Sequence, residues 1–245
     1  FQGWEHVSHV DFGSGDIRFE ELQVQQTAAI VSDSSGQTYE FTYNEGDKTY
    51  TPPLGEEATL VANHDGSYTL ADVDGSTYLF NAEGRLDSYV GPQDDRQPAA
   101  LEYEYTGNPS RLHRIIDGVD SNRYGQLYYA GEPECVTGAG FDAAPTGMLC
   151  AFITTDGDET YFQYKNDALA RVVTPGDTYE DFQYDTEFGR LVAYRDPLAN
   201  DAISYSVRND NNEALTQITY DDLGRVDSVT APAATAGANR MEHTF

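Results

Sequence analysis

The stretch TLVANHDGSYTLADVDGSTYLFNAEGRLDSYV (residues 59–90) decides how this chain folds. Its glycines Gly66, Gly75 and Gly84 stand nine residues apart, and each follows an acid: Asp65, Asp74 and Glu83. Between them apolar and polar residues alternate, the period of a strand with one face buried. An acid–glycine pair between such runs signals a hairpin, because glycine takes the positive φ of a tight turn at no steric cost. The stretch predicts four antiparallel strands at about 59–62, 67–71, 76–80 and 85–90. That is a β-meander.

The same pattern extends in both directions. Upstream, SSGQTYEFTYNEGDKTYTPP (34–53) predicts turns at Gly36 and Gly46, and Pro52-Pro53 stops the strand because proline cannot donate to a ladder. Downstream, AFITTDGDETYFQY (151–164) predicts a hairpin around Asp156-Gly157. EELQVQQTAAIV (20–31) is too irregular for a helical stripe and reads as strand or extended chain. Segments 91–99, 131–148 and 231–240 are rich in Pro, Gly, Ala or Asp and read as loops. The expected fold is all-β: a long antiparallel meander of about 14–18 short strands, forming a twisted, curled ribbon with helix nearly absent.

Composition narrows the function classes. The 245 residues carry 14 basic and 42 acidic side chains, a formal charge of −28, with Lys48 and Lys165 the only lysines. Nucleic-acid binding requires cations that neutralise phosphates, so this surface repels nucleic acid and anionic lipid headgroups. The acidity keeps a β-rich chain soluble and suits a salty or extracellular setting. No apolar run approaches the ~20 residues of a membrane-spanning helix, and no membrane insertion is expected. Hydrophobic content of 39%, with 18 Tyr and 11 Phe, argues for a folded chain. Phe1-Gln2-Gly3 reads as the remnant of an expression tag, with native sequence from near Trp4. Residues 4–58 then form an N-terminal β lead-in, and residues 59–245 one continuous ribbon.

Cys135 and Cys150 are the only cysteines, both in ECVTGAGFDAAPTGMLC (134–150). Their confinement to one loop favours a disulfide over two free thiols, and a bridge there is worth roughly 3 kcal/mol in the chain-entropy model. It would place the chain in an oxidising compartment.

The motif inside the opening stretch recurs. Phe80, Gly84, Arg85 and Leu86 match Tyr184, Asp185, Gly189, Arg190 and Leu191, and again Tyr220, Asp221, Gly224, Arg225 and Val226. Degenerate copies place Tyr105, Arg111 and Leu112, with Ser110 for glycine, and Tyr164, Asp167, Arg171 and Val172, with Ala170 for glycine. The spacing is irregular, which argues against equal propeller blades. Each residue type has a turn role. The acid accepts from turn amides, the glycine takes the left-handed place, and the aromatic packs on the apolar residue of the return strand. The arginines cover rings or pair with carboxylates.

These motifs, FNAEGRL, YDTEFGRL and YDDLGRV, resemble the Tyr-Asp (YD) repeats of Rhs proteins, found also in wall-associated proteins, insecticidal toxin complexes and teneurins. The resemblance covers roughly residues 38–230. It implies a stretch of β-shell wall from a bacterial secreted or cell-surface protein, such as a polymorphic toxin. The implied partners are further repeats and a C-terminal toxin or effector domain. No self-cleaving DPxG-type aspartate site is found. On this reading the segment is a structural scaffold with no catalytic residues, cofactor or metal.

Two other function classes compete with it. Asp94-Asp95, Glu180-Asp181 and Asp221-Asp222 are adjacent carboxylates, but neighbours on a strand point to opposite faces, which does not make a glycosidase pair. His6, His9, His64, His113 and His243 are scattered. DVDGSTYLFNAE (72–83) has the length of an EF-hand loop but carries Thr77 where glycine is needed, and DGVDSN (117–122) and RNDNNE (208–213) read as solvated turns, with weak calcium binding in an extracellular setting as the alternative. An extracellular carbohydrate-binding or adhesion module remains the main alternative, with Tyr124, Tyr128 and Tyr129 stacking on sugars at a cell surface. A glycan-cleaving enzyme is more remote.

Overall fold

The computed structural model describes residues 18–91 and 101–245, which divide into two compact units, one ending at Gly125 and one beginning at Gln126. The first unit opens with a four-stranded antiparallel sheet: β1 (Phe19–Val24), β2 (Ala28–Asp33), β3 (Thr38–Asn44) and β4 (Thr49–Thr51). EELQVQQTAAIV is thus a hairpin of β1 and β2, the extended reading. A meander follows: β5 (Thr59–Ala62), β6 (Tyr68–Ala71), β7 (Thr77–Phe80), β8 (Leu86–Val90), β9 (Leu101–Thr106) and β10 (Arg111–Ile116). The four strands predicted from residues 59–90 are β5 to β8.

Register explains why alternation specified this meander. Leu60 lies opposite Leu70, Leu70 opposite Tyr78, Tyr78 opposite Tyr89, and Tyr89 opposite Leu101. All five are buried. A slip of one residue in any strand would carry its member of this row to the opposite face. Phe19 packs its ring edge-on against Tyr78 from β1, 5.3 Å between centroids, so the two sheets of this unit share a core.

The second unit carries β12 (Leu149–Thr154), β13 (Glu159–Lys165), β14 (Ala168–Thr174), β15 (Thr178–Tyr184), β16 (Leu191–Arg195), β17 (Thr216–Tyr220), β18 (Val226–Thr230) and β19 (Glu242–Thr244). Strand β11 (Tyr124–Tyr129) lies at the division. Among the described residues, strand order in the long sheet follows chain order from β5 to β19, fifteen strands. The all-β meander is therefore the fold.

Three details differ from expectation. Nineteen strands are described rather than 14–18, because three-residue pieces such as β4 and β19 pair as strands. A short helix, α1 (Pro197–Ser204), interrupts the meander between β16 and β17. Asp196 caps it, its Oδ1 accepting from the Ala199 amide at 2.7 Å, and Pro197 supplies the preset φ of a first helical residue. In the β3–β4 turn the positive φ falls on Lys48 (59°), not on Gly46.

Candidate functional site

The recurring turn is the feature with the most chemistry. In its third copy, Tyr220 ends β17 and lies opposite Val226 of β18. The Asp221 amide donates to the Arg225 carbonyl and the Gly224 amide to the Asp221 carbonyl, both at 2.9 Å, enclosing Asp222, Leu223 and Gly224. This is a three-residue hairpin loop ending in a glycine bulge, with Gly224 at φ +80°. Asp221 Oδ1 accepts from the amides of Leu223 and Arg225, each at 2.9 Å, and its Oδ2 accepts from Arg225 Nε at 2.8 Å. The Arg225 amide first, then its guanidinium, holds this carboxyl below the ordinary carboxylate range.

The second copy repeats this with one more loop residue. Asp185 Oδ1 accepts from the Phe188 and Gly189 amides, its Oδ2 accepts from Arg190 Nε at 2.9 Å, and Tyr184 lies opposite Leu191. The Phe188 amide and then Arg190 lower the Asp185 carboxyl in the same way. In the first copy Asn81 replaces the acid. Its Oδ1 still accepts from Glu83 and Arg85 amides, at 3.1 and 3.0 Å, and Phe80 lies opposite Leu86.

The copies are joined to the strands before them. The Tyr220 hydroxyl donates to the Leu191 carbonyl at 2.8 Å, and Arg190 stacks on the same ring, 4.7 Å from its centroid. The Tyr105 hydroxyl donates to the Leu86 carbonyl at 3.0 Å, and Arg85 stacks on that ring at 5.4 Å. Each leucine directly follows the arginine. One Tyr therefore reads two consecutive residues of the preceding Gly-Arg-Leu turn, the arginine through its π face and the leucine through its hydroxyl.

The copy at Tyr164 departs from its expected alignment. Asn166 and Asp167 both have positive φ (50° and 62°) and make a two-residue turn, so Tyr164 faces Leu169 and Ala170 lies inside β14. Asn and Asp tolerate the left-handed region, which removes the need for a glycine three residues on. Arg171, displaced onto the strand, stacks on Tyr179 at 3.9 Å and pairs with Asp181 at 2.6 Å. Tyr164 keeps the hydroxyl contact, donating to the Leu149 carbonyl at 2.7 Å.

Cys135 and Cys150 are joined in a disulfide, their Cα atoms 5.3 Å apart. Within the loop they close, Asp142 donates its amide to the Tyr164 carbonyl and accepts the Asn166 amide, both at 2.8 Å. These hydrogen bonds fasten the loop to the β13–β14 hairpin.

Several other acids singled out in the sequence have structural partners. Glu180 accepts from the Tyr194 hydroxyl, while Asp181 pairs with Arg171. Asp117 and Asp120 accept amides of their own turn, and Asp210 pairs with Arg195 at 2.5 Å. Among the described residues no group of three or more His, Cys, Asp or Glu side chains could hold a metal, and no helix is long and apolar enough to cross a membrane. Tyr124 is covered by Arg114, 4.5 Å from its ring. Asp94, Asp95, His6, His9 and the 1–3 segment lie outside the described residues. One cluster has no signature in the sequence: Arg18 pairs with the buried carboxylates of Glu56 at 2.6 Å and Asp72 at 2.8 Å. It joins residues far apart in the chain, and only the fold brings them together.

No protein-family model matches the chain, and no curated protein matches it. The chain is similar to solved toxin-complex structures. A TcdB2–TccC3–Cdc42 crystal structure is 13% identical at a TM-score of 0.45, covering 89% of this chain. The Photorhabdus luminescens Tc holotoxin pore, with a TccC3 mutation, is 12% identical at 0.45 over 91%. A TcdB2–TccC3–TEV structure is 14% identical at 0.44 over 89%. This chain spans about 12% of the length of each of those chains.

Proposed function

We propose that this segment is a non-catalytic β-scaffold, a length of Rhs-type wall from a secreted or surface-displayed bacterial protein whose full form encloses or displays a toxin or effector domain. The observation that carries the scaffold reading is the double use of Tyr220, whose hydroxyl reaches Leu191 and whose face holds Arg190. The residues that recur are engaged in turn closure and copy-to-copy attachment, which leaves none of them assembled as a reactive group or a ligand cradle. The repeat resemblance of the sequence supports the finer part, the toxin-bearing setting.

A glycan array combined with a hydrolysis screen over the same glycans tests the scaffold reading. The expected result is neither saturable binding nor turnover. Saturable binding lost on replacing Tyr128 and Tyr129 would favour the carbohydrate-binding alternative, and hydrolysis lost with a single carboxylate would favour an enzyme. For the toxin-bearing setting, the expected finding is a full-length coding sequence with further Tyr-Asp copies followed by a variable C-terminal domain; repeats alone, with no such domain, would contradict it.

A further inference from the structure

The four-stranded sheet is fastened to the meander at its β1 edge. The Leu22 amide donates to the Gly84 carbonyl at 2.8 Å, an approach so close that a Cβ on Gly84 would sit 1.7 Å from the Leu22 carbonyl oxygen. Arg18, just before β1, adds its ion pairs to Glu56 and Asp72. At the opposite edge β4 is only three residues long, and it meets the meander through a ring. Tyr50 of β4 packs edge-on against Tyr68 of β6, 6.4 Å between centroids. Tyr43 of β3 completes the row, lying opposite Tyr50 with centroids 5.1 Å apart.

All three tyrosines are half-buried, so a small molecule reaches their edges. The Tyr50 phenol is raised above its ordinary value, by burial first and then by Tyr68 and Tyr43, with a hydrogen bond to Tyr68. The hydroxyls of Tyr50 and Tyr68 are therefore adjacent, which brings the ring carbons beside them within reach of each other. Tyr78 and Tyr89 are another close pair, at 5.0 Å, but they are 1% and 3% exposed and sealed in the core. Both cysteines are held in the disulfide, which leaves no free thiol to reduce a tyrosyl radical.

We propose that Tyr50 and Tyr68 form an oxidative cross-linking site, where hydrogen peroxide acting through a haem peroxidase joins β4 to β6 by a dityrosine bond. Each phenol gives up one electron and its hydroxyl proton, and the two phenoxyl radicals couple through the ring carbons next to oxygen. A carbon–carbon bond forms, the hydrogens on those carbons leave as protons, and both oxygens are reprotonated. The pair loses two hydrogen atoms overall, and one hydrogen peroxide becomes two waters. Peroxide is uncharged, so the formal charge of −28 does not repel it. The bond closes the chain across residues 50–68 and fixes the β4 edge covalently. A closed loop restricts the unfolded chain and thereby favours the folded one.

The test exposes the full chain, disulfide intact, to a haem peroxidase with hydrogen peroxide and maps the bridge by mass spectrometry on the monomer fraction. Cleavage at Glu56, Glu57 and Asp65 separates Tyr50 from Tyr68 unless they are bonded. The expected product is a linked peptide pair carrying both residues, two hydrogens lighter than its parts, with dityrosine fluorescence. The bridged protein should also unfold at a higher urea midpoint. Tyr50→Phe and Tyr68→Phe keep the rings but cannot form the phenoxyl, and each should abolish the linked pair. Tyr43→Phe should leave it in place. Absence of the pair, an equal yield from the urea-unfolded chain, or an unchanged midpoint in the bridged protein would overturn the assignment.

Discussion

The hydroxyl of Tyr220 donates to the main-chain carbonyl of Leu191 at 2.8 Å, across 29 residues of sequence. Tyr105 does the same to Leu86 across 19. The contact is constant although the connection is not, and this accounts for irregular spacing in a repeat. The helix α1 and the turn after it occupy the longer gap, outside the attachment itself. Variable insertions are tolerated because loop closure costs grow slowly with length, while the fixed contact preserves register.

Gly84 is expected to be the least replaceable of the turn glycines. Gly84→Ala would combine left-handed strain, about 1–2 kcal/mol, with a clash against the Leu22 carbonyl. Gly157, at φ +91° with no atom within 4 Å of its Cβ position, supplies the strain alone. Urea unfolding of Gly84→Ala and Gly157→Ala should show the first as less stable by at least about 2 kcal/mol. Equal losses would mean that β1 does not sit where described.

Removing the disulfide tests the loop anchor. Cys135→Ser with Cys150→Ser should cost roughly 3 kcal/mol in the chain-entropy model for a loop of this size. The denatured, unreduced protein should show no titratable thiol. An unchanged unfolding midpoint on reduction would contradict the bridge's role.

Acid should weaken the turns in a defined direction. Asp185 and Asp221 are held below the ordinary value of 3.8, each by a main-chain amide first and its arginine second. A lowered carboxyl contributes stability that is fully present above its unfolded value and is lost as pH falls through its folded value. The turns should therefore keep their full contribution above about pH 4 and lose it below. Carboxyl-carbon NMR titration should place both groups below the unperturbed range, and Asp221→Asn should flatten part of the acid limb of the stability curve. Titration of both at the unperturbed value would remove the turn role argued for them.

Much of the meander was legible because its signals are local. The acid–glycine turns of residues 59–90 and the alternation between them determine both the strands β5 to β8 and the buried row from Leu60 to Tyr89. The Tyr164 copy misled because Ala170-Arg171 mimics Gly-Arg, whereas Asn166-Asp167 already supplies two left-handed residues. Helix α1 had a usable signal, Asp196 before Pro197, but with barely two turns it leaves no periodic stripe. The Tyr–Leu attachments, the Arg18–Glu56–Asp72 cluster and the seat of β1 on Gly84 are long-range. Their residues are individually ordinary, and only the fold makes them neighbours.

Attachment of one copy to the next by the repeated residues is tested by a double-mutant cycle on Tyr220 and Arg190, read by equilibrium urea unfolding. Tyr220→Phe keeps the ring and removes the bond to Leu191, and should cost about 1 kcal/mol. Replacing the ring as well, in Tyr220→Leu, should couple to Arg190→Gln by about 0.5–1 kcal/mol, the stacking contribution. Wild-type stability in Tyr220→Phe, with additive effects in the Tyr220→Leu and Arg190→Gln cycle, would contradict it.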